Sequence, residues 1–132
     1  MKSLLNFRKR RAPTRAIKGN RAEQVALNHL RRHGLSLVTR NFHCRHGEVD
    51  LIMRDGECLV FIEVRYRSSK SYITAALSVD ERKQGKIART AALYLGLKPS
   101  LSDCPVRFDV VAFDGRESGA GGIQWIKDAF RV

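Results

Sequence analysis

The stretch Gly47–Arg67, GEVDLIMRDGECLVFIEVRYR, limits what this chain can fold into more than any other part of it. Residues 58–64 are apolar except for one position and rich in β-formers, as in a strand buried on both faces. Residues 48–53 form a second β-rich run. The link between them, Arg54-Asp55-Gly56-Glu57, centres on Asp-Gly, the strongest short hairpin signal. The exception in the apolar run is Glu63. An ionised carboxylate in such a strand costs several kcal/mol unless a cation compensates it.

A two-residue turn at Asp55-Gly56 predicts Arg54 opposite Glu57, Asp50 opposite Phe61 and Glu48 opposite Glu63. Residues two apart share a face, so Glu48, Asp50, Phe61, Glu63 and Arg65 project together, with Asp50 and Glu63 as diagonal neighbours. Two remedies are open for the clustered acids. Arg65 can neutralise Glu63 as a structural ion pair, or a divalent cation can sit between Asp50 and Glu63. Mg²⁺ suits the second, since it takes oxygen ligands and uses one or two carboxylates with waters and phosphate oxygens. Carboxylates paired on a sheet of a basic protein are the donor set of a metal-dependent phosphodiesterase.

The flanking pattern predicts an α/β domain. From Gly19, Ala22, Val25, Ala26 and Leu30 recur at helical steps, with Asn20 as N-cap and His33-Gly34 as the stop. Residues 35–42 read as a strand and 68–77 as a loop. Ser78-Val79-Asp80-Glu81 has the capping-box form, followed by a helix with Ile87, Ala88, Ala91, Ala92 and Leu95 inward, ended by Gly96 and Pro99. Residues 106–113 read as a strand, 114–122 as a loop and 123–130 as a last strand. The order is α-β-β-β-α-β-β, a central mixed sheet flanked by helices in one domain over 19–132.

Charge points to the partner. The chain of 132 residues has 25 Lys and Arg against 13 Asp and Glu, a net +12. Such an excess gains free energy by displacing counterions from a phosphate backbone, so the expected partner is nucleic acid, foremost DNA. A solubility charge, or affinity for a ribosome or membrane surface, is the alternative. Seven of the basic residues, Arg10 and Arg11 among them, lie in residues 1–18 with no acid, which leaves +5 for the rest. This segment reads as a flexible basic arm that contacts nucleic acid, as an organelle transit peptide, or as a solvated tail. Arg67, Lys70 and Tyr72 follow the acidic site and are candidates to contact phosphates and stack a base. Arg82, Lys83, Lys86 and Arg89 are candidates to line a DNA groove, and Gln84 to hydrogen-bond in the site; a solvated helix face is the plainer reading.

Other classes drop out. No apolar run approaches the roughly 20 residues of a membrane helix, and the N-terminus is too short for a secretory core. Cys44, Cys58 and Cys104 form no CxxC, and an odd number cannot all pair. They read as reduced thiols of a cytoplasmic protein. His43, Cys44 and His46 match no standard zinc spacing, and no GxSxG or P-loop is present.

Asp50 followed by Glu63-Val64-Arg65 resembles the D…ExK signature of PD-(D/E)XK nucleases, the restriction-endonuclease and Holliday-junction-resolvase group. More closely, residues 19–30, 41–67, 87–95 and 106–113 resemble the small bacterial YraN-like family of endonuclease-like proteins, a likeness that runs from about Gly19 to Phe130. The resemblance implies a restriction-endonuclease-like fold with Mg²⁺ or Mn²⁺ held by Asp50, Glu63 and the Val64 carbonyl, and Glu23 reaching toward it; Glu48 joins them from the hairpin reading. The wider group has lysine where this chain has Arg65. A lysine can deprotonate or position water. An arginine stays protonated, yet can stabilise a charged transition state. The expectation is a Mg²⁺-dependent nuclease acting on DNA, with Asp50, Glu63 and Arg65 at the chemistry; the alternative is a nucleic-acid-binding protein that keeps the fold without turnover.

Overall fold

A run of β-formers that is apolar at nearly every position needs cover on both sides, and the architecture supplies it. The computed structural model describes residues 14–67, 79–114 and 122–131. In it β1 (Ser36–Cys44), β2 (Gly47–Asp55), β3 (Cys58–Arg67), β4 (Val106–Asp114) and β5 (Ile123–Ile126) form one sheet in chain order. Neighbouring strands run antiparallel except β3 and β4, which are parallel. A parallel pair cannot be joined by a tight turn; here the crossover carries helix α2 (Glu81–Leu97), while α1 (Thr14–Arg32) precedes the sheet.

Each helix covers one face. On the α1 side Ala22, Ala26, Leu27 and Leu30 pack on Leu51, Met53, Val60, Ile62 and Val111. On the α2 side Ile87, Ala91 and Tyr94 pack on Ile52, Leu59, Phe61, Phe108 and Val110. β3 therefore feeds alternate residues to both cores, and each fully buried Leu, Ile or Phe contributes about 1.5–3 kcal/mol. This is the α/β architecture expected from the sequence, a mixed sheet with a helix on each face, and it agrees with a restriction-endonuclease-like fold. Among the described residues no helix is long and apolar enough to cross a membrane. All three cysteines are free thiols.

The hairpin differs from the expected one. Asp55 pairs with Cys58, and the ladder runs through Arg54↔Leu59 to Leu51↔Ile62. Arg54 thus opposes Leu59, not Glu57. The turn residues are Gly56 and Glu57, with Gly56 at φ +63°. A glycine at positive φ favours the first central position of a primed turn, which pushes Asp55 back into the strand. Asp55 is anchored there by Arg107 Nη2 at 3.0 Å. The pairing slides by two residues, which leaves the face of each paired residue unchanged, and it ends at Leu51↔Ile62, just short of Asp50 and Glu63.

Three boundaries also move. α1 begins at Thr14, ahead of the expected Asn20 cap and inside the segment assigned to the basic arm; residues 1–13 lie outside the described residues. α2 is capped by Asp80 rather than Ser78, its side chain accepting the Lys83 amide at 2.9 Å. β5 ends at Ile126 because Asp128 turns the chain at φ +52° and Ala129 N–H bonds the Phe108 carbonyl.

Candidate functional site at the β2–β3 fork

The ladder between β2 and β3 stops at Leu51↔Ile62 although both strands continue. Beyond that point the Val64 amide donates to Asp50 Oδ2 at 2.8 Å, so a side chain takes the place of a strand partner. β2 loses its two-residue alternation here: Val49 and Ile52 pack in the α2-side core, and Leu51 in the α1-side core. On β1, Asn41 lies between the pairs Arg40↔Leu51 and Phe42↔Val49 with φ +55°. Left-handed backbone at an asparagine, set against a break in alternation, is the local distortion by which a sheet re-aims a side chain. Asp50 lies at this break, between Val49 and Leu51. Its carboxylate lies at the fork, within electrostatic reach of Glu23 on α1 as well as Glu63.

Four acids influence one another electrostatically here. Asp50 and Glu63 are 8% and 6% exposed. Burial, and then the charge of Glu63, pushes the Asp50 carboxyl up to about 8, against the pull of the Val64 amide; Glu23 and Glu48 add to the rise. Glu63 is raised by burial and drawn back by Lys83 first and Arg65 second. Glu23 is raised by burial, drawn back by Arg40 and by a side-chain hydrogen bond with Asn41, raised further by Glu48, and drawn back again by a side-chain hydrogen bond with Asp50. Its Oε1 is buried with no hydrogen-bond partner among the described residues, a condition that costs about 1–3 kcal/mol. Glu48 is exposed at the rim.

The cations come from two elements. Arg65 Nη1 and Lys83 Nζ each lie 3.4 Å from Glu63 Oε2. The structural ion pair weighed in the sequence therefore forms, and a lysine from α2 joins it. Lys83, grouped by sequence with Arg82, Lys86 and Arg89, separates from them: those three are exposed on α2, whereas Lys83 turns to Glu63. Gln84 Nε2 donates to the Val79 carbonyl, tying down the start of α2. The Val64 amide is what meets Asp50, in the residue from which a carbonyl ligand was expected. Arg67 ends β3; its side chain, with Lys70, Tyr72, Arg10 and Arg11, lies outside the described residues.

A second buried acid shows what a satisfied one looks like. Asp109 is fully buried. It accepts Arg107 Nε at 2.9 Å and Nη2 at 3.0 Å, Trp125 Nε1 at 2.9 Å and the Asp128 amide at 2.9 Å. Among the described residues no such set of donors is seen around Asp50, Glu63 and Glu23. Among the described residues no three His, Cys, Asp or Glu side chains stand close enough to hold a metal ion as they are placed. The donor chemistry nonetheless suits a hard divalent cation: oxygen ligands alone, in mutual repulsion, one oxygen without a partner.

Residues 22–113 match the family described as Uncharacterised protein family UPF0102. The chain is 47% identical over 119 residues to a UPF0102 protein of Nitrosococcus oceani, covering 90% of this chain and 95% of that one. It is 46% identical to relatives in Pseudomonas entomophila, over 85% of this chain and 91% of that protein, and in Legionella pneumophila, over 86% and 93%.

Proposed function

The chain belongs to the UPF0102 family, and we propose that it is a nuclease that uses Mg²⁺ or Mn²⁺ to cleave DNA, branched or otherwise structured. The observation that supports this most is the set of under-satisfied carboxylates at the β2–β3 fork of a protein carrying +12. Phosphate recognition alone would not place carboxylates beside a polyanion. Asp50, Glu63 and the Val64 carbonyl would hold the cation, with Glu23 and the rim residue Glu48 as the further oxygens. When bound, it supplies a water activated for attack on phosphorus and a counter-charge for the phosphodiester.

The chain's own residues do the remaining work. The Val64 amide holds Asp50 in one orientation through Oδ2. Arg65, two residues beyond Glu63 on the same strand, carries a planar guanidinium that suits a non-bridging phosphate oxygen. Arg82, Lys86 and Arg89, exposed on α2, offer charge to the flanking backbone.

A second reading, a DNA-binding protein without turnover, is favoured by one observation: Glu63 is already neutralised by Arg65 and Lys83. Junction, flap, duplex and single-stranded DNA incubated with Mg²⁺ or Mn²⁺, against EDTA, separate the two. Metal-dependent cleavage lost in Asp50→Asn and Glu63→Gln supports the nuclease. Binding without cleavage on every substrate supports the second reading, and no affinity for any of them at low salt sinks both.

A further inference from the structure

Glu63 Oε2 is shared by two cations at the same distance, 3.4 Å. Fully made charge-assisted N–H···O contacts close to about 2.7–2.9 Å, so neither holds it tightly. The two cations differ in exposure. Lys83 is 39% exposed and Arg65 is 21%. Lys83 also has a fixed root, because its amide is held by the Asp80 cap. A flexible four-carbon stem on a fixed Cα can deliver one charge to either of two neighbouring acceptors without moving the backbone.

We infer that Lys83 exchanges partners: in the free protein it neutralises Glu63, and when a phosphodiester and its divalent cation occupy the acidic face it moves to a non-bridging phosphate oxygen. This rests on the nuclease reading. The reason is charge. A divalent ion at Glu63 repels the two cations already there, and the phosphate brings the acceptor that relieves this. The more exposed of the two, carried on a flexible unbranched stem, is the one that leaves. Lys83 is thereby a phosphate-contacting residue that the spacing of the strand motif does not reveal, since it comes from a helix 20 residues further along the chain.

The test uses the full chain and two variants, Lys83→Met, which keeps an unbranched stem without the charge, and Lys83→Arg, which keeps the charge. Affinity for a labelled duplex is measured across a salt series, in EDTA and in Mn²⁺ before cleavage proceeds. Each phosphate contact contributes about 0.9 to the slope of log K against log salt. In EDTA the three proteins should share one slope; in Mn²⁺ the Lys83→Met slope should be shallower by about 0.9, and Lys83→Arg should match wild type. Without DNA, Lys83→Met should bind Mn²⁺ several-fold more tightly than wild type in calorimetry. Equal slopes in Mn²⁺, with Mn²⁺ and DNA both bound, would make Lys83 only the counterion of Glu63 and overturn the exchange. A slope reduced equally in EDTA and Mn²⁺ would make it a fixed phosphate contact and overturn it too. Wild-type protein that binds DNA but no Mn²⁺ in calorimetry overturns the metal reading and the exchange with it.

Discussion

Two strands of this sheet carry an acid in an apolar run with an arginine two residues away: Glu63 with Arg65, and Asp109 with Arg107. The local patterns are the same and the outcomes differ. Asp109 gains Trp125 Nε1 and the Asp128 amide, from 16 and 19 residues further on, so its charge is fully compensated. Asp109→Asn should cost about 3 kcal/mol or more by leaving Arg107 short of its partner, a loss read by urea denaturation that no divalent cation restores. Asp50 behaves oppositely. Its folded carboxyl holds a proton up to about 8, against an ordinary value of 3.8. The stability this group contributes is complete below the ordinary value and is lost as pH rises through about 8, at about 1.4 kcal/mol per pH unit inside that window. Metal-free wild type should therefore melt higher at pH 5 than at pH 8.5. Asp50→Asn, which keeps an acceptor for the Val64 amide, should flatten that dependence and melt higher than wild type at pH 8.5. An unchanged pH profile in the variant would show that Asp50 is ionised in the fold.

Among the elements, β2 and β3 were legible as a hairpin from alternation and Asp-Gly alone, and their register was not. Moving Gly56 by one place in the turn slides every pair. The dipeptide admits either turn; in the fold Gly56 takes the first central position at positive φ, and Asp55, returned to the strand, meets Arg107 of β4 across the chain. The break at Asp50 was equally hidden, because a two-residue period assumes a regular strand; its one trace in the sequence is Asn41, a residue that tolerates left-handed backbone. Asn41→Gly should be nearly neutral for stability. Asn41→Val should cost about 1–2 kcal/mol, as a β-branched residue forced to φ +55°, with a matching fall in the urea midpoint. The start of α2 carries its own check. Asp80→Ala removes the side-chain acceptor of the Lys83 amide and should cost about 1 kcal/mol. A loss of that size with no change in Mn²⁺ affinity would show that the cap serves the helix and not the site.

Over the whole molecule, the acidic face and the basic surface make separable predictions. A ligand that binds only the native state stabilises it by mass action. Millimolar Mn²⁺ should thus raise the melting temperature of wild type and leave Asp50→Ala with Glu63→Ala unmoved; a wild type that does not respond, beside a folded double mutant, removes the metal from the proposal. Deleting residues 1–13 keeps α1 whole and removes five basic residues. Duplex binding should weaken and its salt slope become shallower, while any cleavage of DNA persists, since the carboxylates lie elsewhere. An unchanged slope would show that this segment does not touch phosphate. The order of elements, the double burial of β3, the two amphipathic helices and the presence of misplaced acids all follow from apolar periodicity and turn residues, which are properties of near neighbours in the chain. The approach of Asp50 to Glu63, the approach of Glu23 to Asp50 from α1, and the pairing of Lys83 with Glu63 depend on contacts 13 to 27 residues apart. So does the difference between Asp109 and Glu63 as buried charges. Such contacts arise only when the sheet closes and the two helices settle on it, because burial and Coulomb energy depend on distance in space and not on spacing along the chain.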